Sequence, residues 1–322
     1  NFGKPINLCS LFAELIFGMM ARLLFGERAE TEIKLLSETI NELAVQADNQ
    51  VAQIVNLPLF IPSPANLRFK SARKKFDAVL YSLINKRKKE IAEGVATGDD
   101  ILQMLLESEP LNAKQLRDEL TTLFMAGYET TSNTLSWLFY RLARNPEIAS
   151  RIRSDLNRSG QNSNTPDQQL GSNHPRVSYN ITNLIKETMR LYPAVWLIVR
   201  KNISATVLGE YFLPKGSVIL LNVYGLHHNE TYWEKPYEFR PDRFKTQNIS
   251  NQNQCNYLPF GMGPRLCIGQ PFAMMIMQVV VSRLINSFDF IPSGDFEIGM
   301  KPQVTLRPNP EIYLRFKPVT NL

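Results

Sequence analysis

From Leu8 to about Asn56 the apolar residues recur at three- and four-residue intervals, a spacing that predicts two or more helices ending before Pro58. LPLFIPSPAN at 57–66 breaks that rhythm and reads as a loop. Residues 67–93 resume it as a helix with a basic, solvated face that includes Lys86, Arg87, Lys88 and Lys89. A longer helical pattern covers 112–144 and stops where Asn145 and Pro146 supply breakers; a further helix runs to about Asn157. Residues 157–180 are rich in Ser, Asn, Gln, Gly and Pro and predict a mobile surface loop. ITNLIKETMRLYP then reads as a helix stopped by Pro193. Between Trp196 and Val223 the pattern favours strands, with a turn at LPKG, 213–216, that puts Pro second and Gly fourth. After Cys267 an apolar run predicts another helix, so the fold class is mainly α with a minor sheet.

With 322 residues, 44% of them hydrophobic, the chain can build one large core or two modest domains. Its net charge of +6 and pI near 9.1 suit an acidic protein, a phospholipid surface or nucleic acid, and select none of them. No GxGxxG or GxxxxGK[ST] loop is present, so the sequence carries no nucleotide-binding module. The three cysteines, Cys9, Cys255 and Cys267, form no CxxC pair, which argues against a disulfide framework or structural zinc and for a reducing compartment. The apolar stretch Leu11–Leu24 is interrupted by Glu14 and Arg22, so no transmembrane helix is expected. The sequence opens at Asn1 inside a helical pattern, which suggests a start further upstream.

The chemistry concentrates in PFGMGPRLCIGQPFA, 259–273, where one cysteine follows a Gly/Pro-rich loop and precedes a helix. A helix N-terminus stabilises a thiolate, as a nucleophile or as a metal ligand. A nucleophile needs a histidine base, and the contexts of His174, His227 and His228 give no sign of one, so ligation is the better reading.

Phe260, Gly263, Arg265, Cys267 and Gly269 match the FxxGxRxCxG signature, and on them the chain resembles the cytochromes P450, haem-thiolate monooxygenases. The resemblance implies haem b with Cys267 as the proximal iron ligand, its sulfur pushing electron density toward bound oxygen. It also implies that Gly263 and Gly269 let the backbone turn against the porphyrin, that Phe260 shields the sulfur and that Arg265 pairs with a propionate. Ala126, Gly127, Glu129, Thr130 and Thr131 look like the family's oxygen-activating AGx[DE]TT segment. There small and hydroxyl residues loosen the helix into a groove for oxygen, and Glu129 and Thr130 relay protons toward the site of its reduction. Glu187 and Arg190 match ExxR, and Arg243 in FRPDRF completes the family's Glu-Arg-Arg cluster, a structural lock. Arg200 stands where members contact the second propionate.

Two departures stand out. Ile276 replaces a Glu common in the family's proximal helix, and no WxxxR precedes the oxygen helix. Residues 1–322 therefore read as one cytochrome P450 domain lacking its N-terminal sheet and first helices. The resemblance implies a monooxygenase that inserts one atom of O2 into an apolar, lipid-like small molecule such as a fatty acid or terpenoid. Phe124, Met125 and Val195 to Ile198 would line its cavity. With no flavin or nicotinamide motif, electrons come from an external reductase or ferredoxin, and no nucleic acid is involved. The expected location is the cytoplasm or the cytoplasmic face of a membrane. An oxygen-independent P450-type isomerase or dehydratase, and a non-catalytic haem-binding protein, are the alternatives; Glu129 and Thr130 argue against the isomerase.

Overall fold

Caps and prolines set several of the element boundaries in the computed structural model, which describes residues 3–27, 30–51, 57–95, 98–108, 111–161, 179–245, 255–294 and 297–319. The helices expected before Pro58 are α1 (Leu8–Phe25) and α2 (Glu30–Val51). Helix α3 (Pro64–Ala92) starts at Pro64 rather than residue 67, because the Ser63 side chain accepts the Asn66 N–H at 3.2 Å and Pro64 needs no amide partner. After α4 (Ile101–Glu107) comes the long α5 (Ala113–Arg144), and Pro146 opens α6 (Pro146–Gln161). Of the loop expected over 157–180, residues 157–161 instead belong to α6 and 179–180 to the next helix, and 162–178 lie outside the described residues. Helix α7 (Tyr179–Leu191) ends before Pro193 as its sequence requires.

The contacts divide the chain into two units, Asn1–Leu11 with Asn133–Leu322, and Phe12–Ser132. In the second unit α2 lies along α3, joined by the pairs Lys75–Glu42 and Lys86–Glu32, each at 2.9 Å. The Phe124 ring of α5 meets Phe17 edge-on at 5.0 Å and stacks on Phe25 at 6.4 Å, closing an aromatic core. Arg87 does not belong to the solvated basic face expected of α3. It is buried, with Nη1 2.8 Å from Asp100 Oδ1 and Nη2 donating to the Phe25 carbonyl at 3.0 Å. Asp100 in turn caps α4 by accepting the Gln103 N–H at 3.0 Å.

By length and composition alone α1 qualifies as a membrane-crossing helix, despite Glu14 and Arg22. Yet Phe12, Ile16, Met20 and Leu24, four residues apart in succession, are buried, the stripe of a helix embedded in protein.

The first unit holds the sheets. Strand β1 (Ile6–Asn7) and later β6 (Phe288–Pro292) flank β9 (Tyr313–Pro318) antiparallel, with Ile6 opposite Leu314 and Phe290 opposite Phe316. The expected strands after Trp196 are β2 (Leu197–Lys201), β3 (Thr206–Leu208), β4 (Tyr211–Leu213) and β5 (Val218–Asn222), paired as β2–β5 and β3–β4. The turn at LPKG is displaced by one residue: Ser217 N–H donates to the Pro214 carbonyl at 3.2 Å. Gly216, at φ +89°, therefore takes the third position, which needs a left-handed backbone. A hairpin of β7 (Gly299–Pro302) and β8 (Leu306–Asn309) is held to α5 and to the chain after α7. Trp137 Nε1 and Trp196 Nε1 donate to the Leu306 and Gln303 carbonyls at 3.4 and 3.0 Å. Trp137 also stacks on Tyr192 with centroids 4.0 Å apart, and the five-residue helix α8 (Val223–His227) and the longer α9 (Gln270–Ser287) complete the unit.

Candidate active site

Glu187 and Arg190, one turn apart on α7, are both fully buried and joined through two contacts, Nε to Oε2 at 2.8 Å and Nη2 to Oε1 at 3.0 Å. Arg243, on the 3-10 turn Pro241–Phe244, brings its Nε to the same Oε1 at 3.0 Å, and the Arg240 amide adds a fourth donor at 2.9 Å. The carboxylate is thus surrounded by donors. The two guanidiniums spend their remaining hydrogens on main-chain carbonyls: Arg190 on His227, Pro236 and Glu238, Arg243 on Glu234, Lys235 and Glu238. One carboxylate and two cations so fix an irregular stretch of chain that has no ladder of its own.

The same region contains two residues that motif reading passed over. The His227 ring is buried, its Nε2 accepts the Leu258 N–H at 2.8 Å, and it stacks on Tyr257 at 5.3 Å. Burial pushes its pKa down to about 3, so the ring stays neutral at physiological pH. Tyr257 donates to the Lys186 carbonyl at 2.9 Å, and burial raises its phenol well above the usual range. The signal available in the sequence was the HisHis pair in a region rich in aromatic residues, which suggests a packed histidine without naming its partner.

The segment that follows is a tight excursion. Gly261 and Gly263 take φ of +74° and +72°, and the Cys267 N–H closes the loop on the Phe260 carbonyl at 3.0 Å. Gly263 is a left-handed position as its motif role requires; Gly261, outside the motif, is another. Gly269 differs, with φ −81° at the N-cap of α9, so no backbone strain demands glycine there. Cys267 stands two residues ahead of that cap rather than on the helix's first turn. Its thiol is exposed, as are Arg265 and the apolar Met262, Leu266 and Ile268, the last at 89%. Arg265 has no ion-pair partner among the described residues. An exposed thiol, an unpaired cation and a fringe of bare apolar side chains fit a flat, apolar, anion-bearing group such as haem. Behind them Ile276, the family departure, is buried and acts as core packing of α9.

Arg200 is exposed on β2 opposite Ile219, and its Nη1 donates to the Val199 carbonyl at 3.0 Å. Ala126, Gly127, Glu129 and Thr130 lie in the second unit, on an unbroken α5. Thr130 Oγ1 donates to the Ala126 carbonyl at 2.7 Å, so the hydroxyl shares a helix acceptor without interrupting the helix. Gly127 has a packing reason for its place: a Cβ there would lie 2.5 Å from Met20 Cε of α1. Phe124 is fully buried in that unit's aromatic core.

The family model for cytochrome P450 matches residues 1–316. Cytokinin hydroxylase of Arabidopsis thaliana is 30% identical over 98% of this chain and 62% of its own length. Cytochrome P450 CYP72A219 of Panax ginseng is 32% identical over 90% of this chain and 58% of its own. Steroid 21-hydroxylase of Sus scrofa is 29% identical over 98% and 65%. The chain therefore spans about three fifths of the length of these curated relatives. The crystal structure of the cytochrome P450DA heme domain superposes with a TM-score of 0.82 at 20% identity, over 99% of this chain and 70% of that one, a likeness of fold. With the family model running nearly end to end over a cysteine loop and a Glu-Arg-Arg cluster of the required kind, the chain belongs to the cytochrome P450 family.

Proposed function

We propose that this chain forms the haem-binding part of a monooxygenase that inserts one atom of O2 into an apolar small molecule and reduces the other to water. Electrons would arrive singly from an external reductase or ferredoxin. The observation that carries the reading is the exposed Cys267 thiol on a glycine-turned loop, set among bare apolar side chains and an exposed arginine that has no ion-pair partner among the described residues.

Haem held there would supply the iron at which dioxygen is reduced, with electrons from that partner, and cleaved. Cys267 Sγ would ligate as thiolate, and Arg265 and Arg200 would each take a propionate by charge-assisted hydrogen bonds. Phe260, half-buried and bonded through its carbonyl to the Cys267 amide, would keep water from the sulfur. The Thr130 hydroxyl donates its hydrogen bond to the Ala126 carbonyl, so its Oγ1 remains an acceptor for an incoming donor, and Glu129 beside it would be the second member of the relay. Ala126 would leave room beside them, whereas the space at Gly127 is taken by Met20. A lipid-like substrate, a fatty acid or terpenoid, is supported by the apolar bulk of Met125 and Val195–Ile198. The names of the relatives, which include hydroxylases of a cytokinin and of a steroid, do not choose among substrates.

The test is the reduced carbon-monoxide difference spectrum of the haem-loaded protein, followed by product formation with reductase. A thiolate-type band that vanishes in Cys267→Ala, and turnover that needs both NADPH and O2, are expected. A band that survives Cys267→Ala overturns the ligand assignment, and turnover without O2 replaces the monooxygenase with an isomerase.

A further inference from the structure

We propose that His227 is a positioning residue for the cysteine loop, carrying the rigidity of the Glu187–Arg190–Arg243 cluster to Cys267 through a chain of hydrogen bonds. The links are consecutive. Arg190 Nη1 donates to the His227 carbonyl at 2.9 Å. The Leu258 N–H donates to His227 Nε2 at 2.8 Å. The Gly261 N–H donates to the Leu258 carbonyl at 3.2 Å, and the Cys267 N–H to the Phe260 carbonyl at 3.0 Å. His227 is the only member of this series that contributes from main chain and side chain at once, and so it joins two otherwise separate segments.

Three features distinguish this from ordinary packing. The ring is fully buried at the end of a five-residue helix, too short to hold an orientation by its own ladder. Its acceptor meets a main-chain donor in irregular structure, where no strand or helix supplies an alternative partner. Tyr257 covers the ring at 5.3 Å and is itself tied to α7 through the Lys186 carbonyl at 2.9 Å, so the segment entering the cysteine loop is gripped at two adjacent residues. The imidazole must be neutral to accept, which places its proton on Nδ1. A side chain without an acceptor at the Nε2 position takes from the half-buried Leu258 amide its partner, and the excursion through the two left-handed glycines loses its first anchor.

The inference rests on Cys267 being the haem ligand for its consequence, but not for its test. Hydrogen exchange of the full chain without haem compares His227→Leu, His227→Gln and Tyr257→Phe with the parent. In His227→Leu the peptide spanning residues 255–269 is expected to exchange at least about tenfold faster, while α7 stays within about threefold. His227→Gln, whose Oε1 can reach the same donor, restores most of the protection, and Tyr257→Phe gives a smaller loss. Unchanged exchange over 255–269 in His227→Leu overturns the proposal. So does equal loss in α7 with no rescue by glutamine, which would make His227 simply part of the core. Should the leucine variant not fold, failure of glutamine to protect the peptide above the Tyr257→Phe level refutes it equally. In haem-loaded protein the thiolate-type carbon-monoxide band of His227→Leu should fall by at least half and return in His227→Gln. A band indifferent to Cys267→Ala would sink the ligand reading alone, leaving the exchange result to decide His227.

Discussion

Neutralising Glu187 should be the most damaging single-atom change in the first unit. Glu187→Gln keeps the shape but exchanges a carboxylate surrounded by four donors for an amide that accepts at one oxygen only. Arg190 is then a fully buried cation without a counter-charge. Breaking such a pair from one side costs about 3–5 kcal/mol. Arg190 still donates to three carbonyls, which favours the lower end, about 3 kcal/mol for Gln and about 4 kcal/mol for Ala. Arg243 is the less buried cation, at 10% side-chain exposure, and Glu187 keeps Arg190 without it, so Arg243→Met should cost only about 1–2 kcal/mol. Urea unfolding followed by tryptophan emission reads this directly. All three tryptophans lie in the first unit, and the Trp233 ring is 5.2 Å from the Arg190 guanidinium carbon. With a urea slope of about 3 kcal/mol per molar, the midpoint of Glu187→Gln should fall by roughly 1 M. A midpoint within about 0.3 M of the parent, or a larger loss in Arg243→Met than in Glu187→Gln, would refute a closed cluster centred on the carboxylate.

Three further outcomes follow from the same geometry. His227, with its pKa at about 3 in the fold against 6.5 when exposed, binds fewer protons folded than unfolded, so its share of stability is complete above about 6.5 and lost as pH falls toward 3. The stability gap between parent and His227→Gln should narrow by about 1 kcal/mol between pH 6 and 5; a gap that widens disproves a neutral buried ring. In the cysteine loop Gly261→Ala, forced to φ +74°, should cost about 1–2 kcal/mol, whereas Gly269→Ala, at φ −81° with its new Cβ 3.9 Å from Cys267 Sγ, should change stability by less than about 0.5 kcal/mol; equal costs in thermal melts would contradict the backbone assignment. In the second unit Arg87→Met strands the buried Asp100 and should cost about 3 kcal/mol or more, while Arg87→Met with Asp100→Asn, which keeps the cap on Gln103, should recover at least about 1 kcal/mol in urea.

What the sequence disclosed and what it hid divide along the range of the interaction concerned. Helix spans were legible because a 3.6-residue period is local: α5 and α7 lie where the apolar spacing and the following prolines put them. Start positions and turns slipped by a few residues where one side chain decides, as Ser63 does for α3 and Gly216 for the turn into β5. The partners of buried charges were hidden for a different reason. Arg87 and Lys86 are neighbours in one basic run, yet the first is buried against Asp100 and Phe25 and the second stays at the surface with Glu32, and nothing within the run distinguishes them. Glu187, Arg190 and Arg243 were found together only because their spacing is a family pattern; His227 and Tyr257, which tie that cluster to the cysteine loop, carry no comparable spacing, so the sequence singled out neither as part of it. Glycine shows the limit most sharply. Gly261, Gly263 and Gly269 look alike in PFGMGPRLCIG, but only the first two occupy left-handed backbone. Gly127 is different again, since what it avoids is Met20. A glycine in sequence states that a Cβ is absent, and only the surroundings decide whether the reason is a dihedral angle, a neighbouring helix or a ligand.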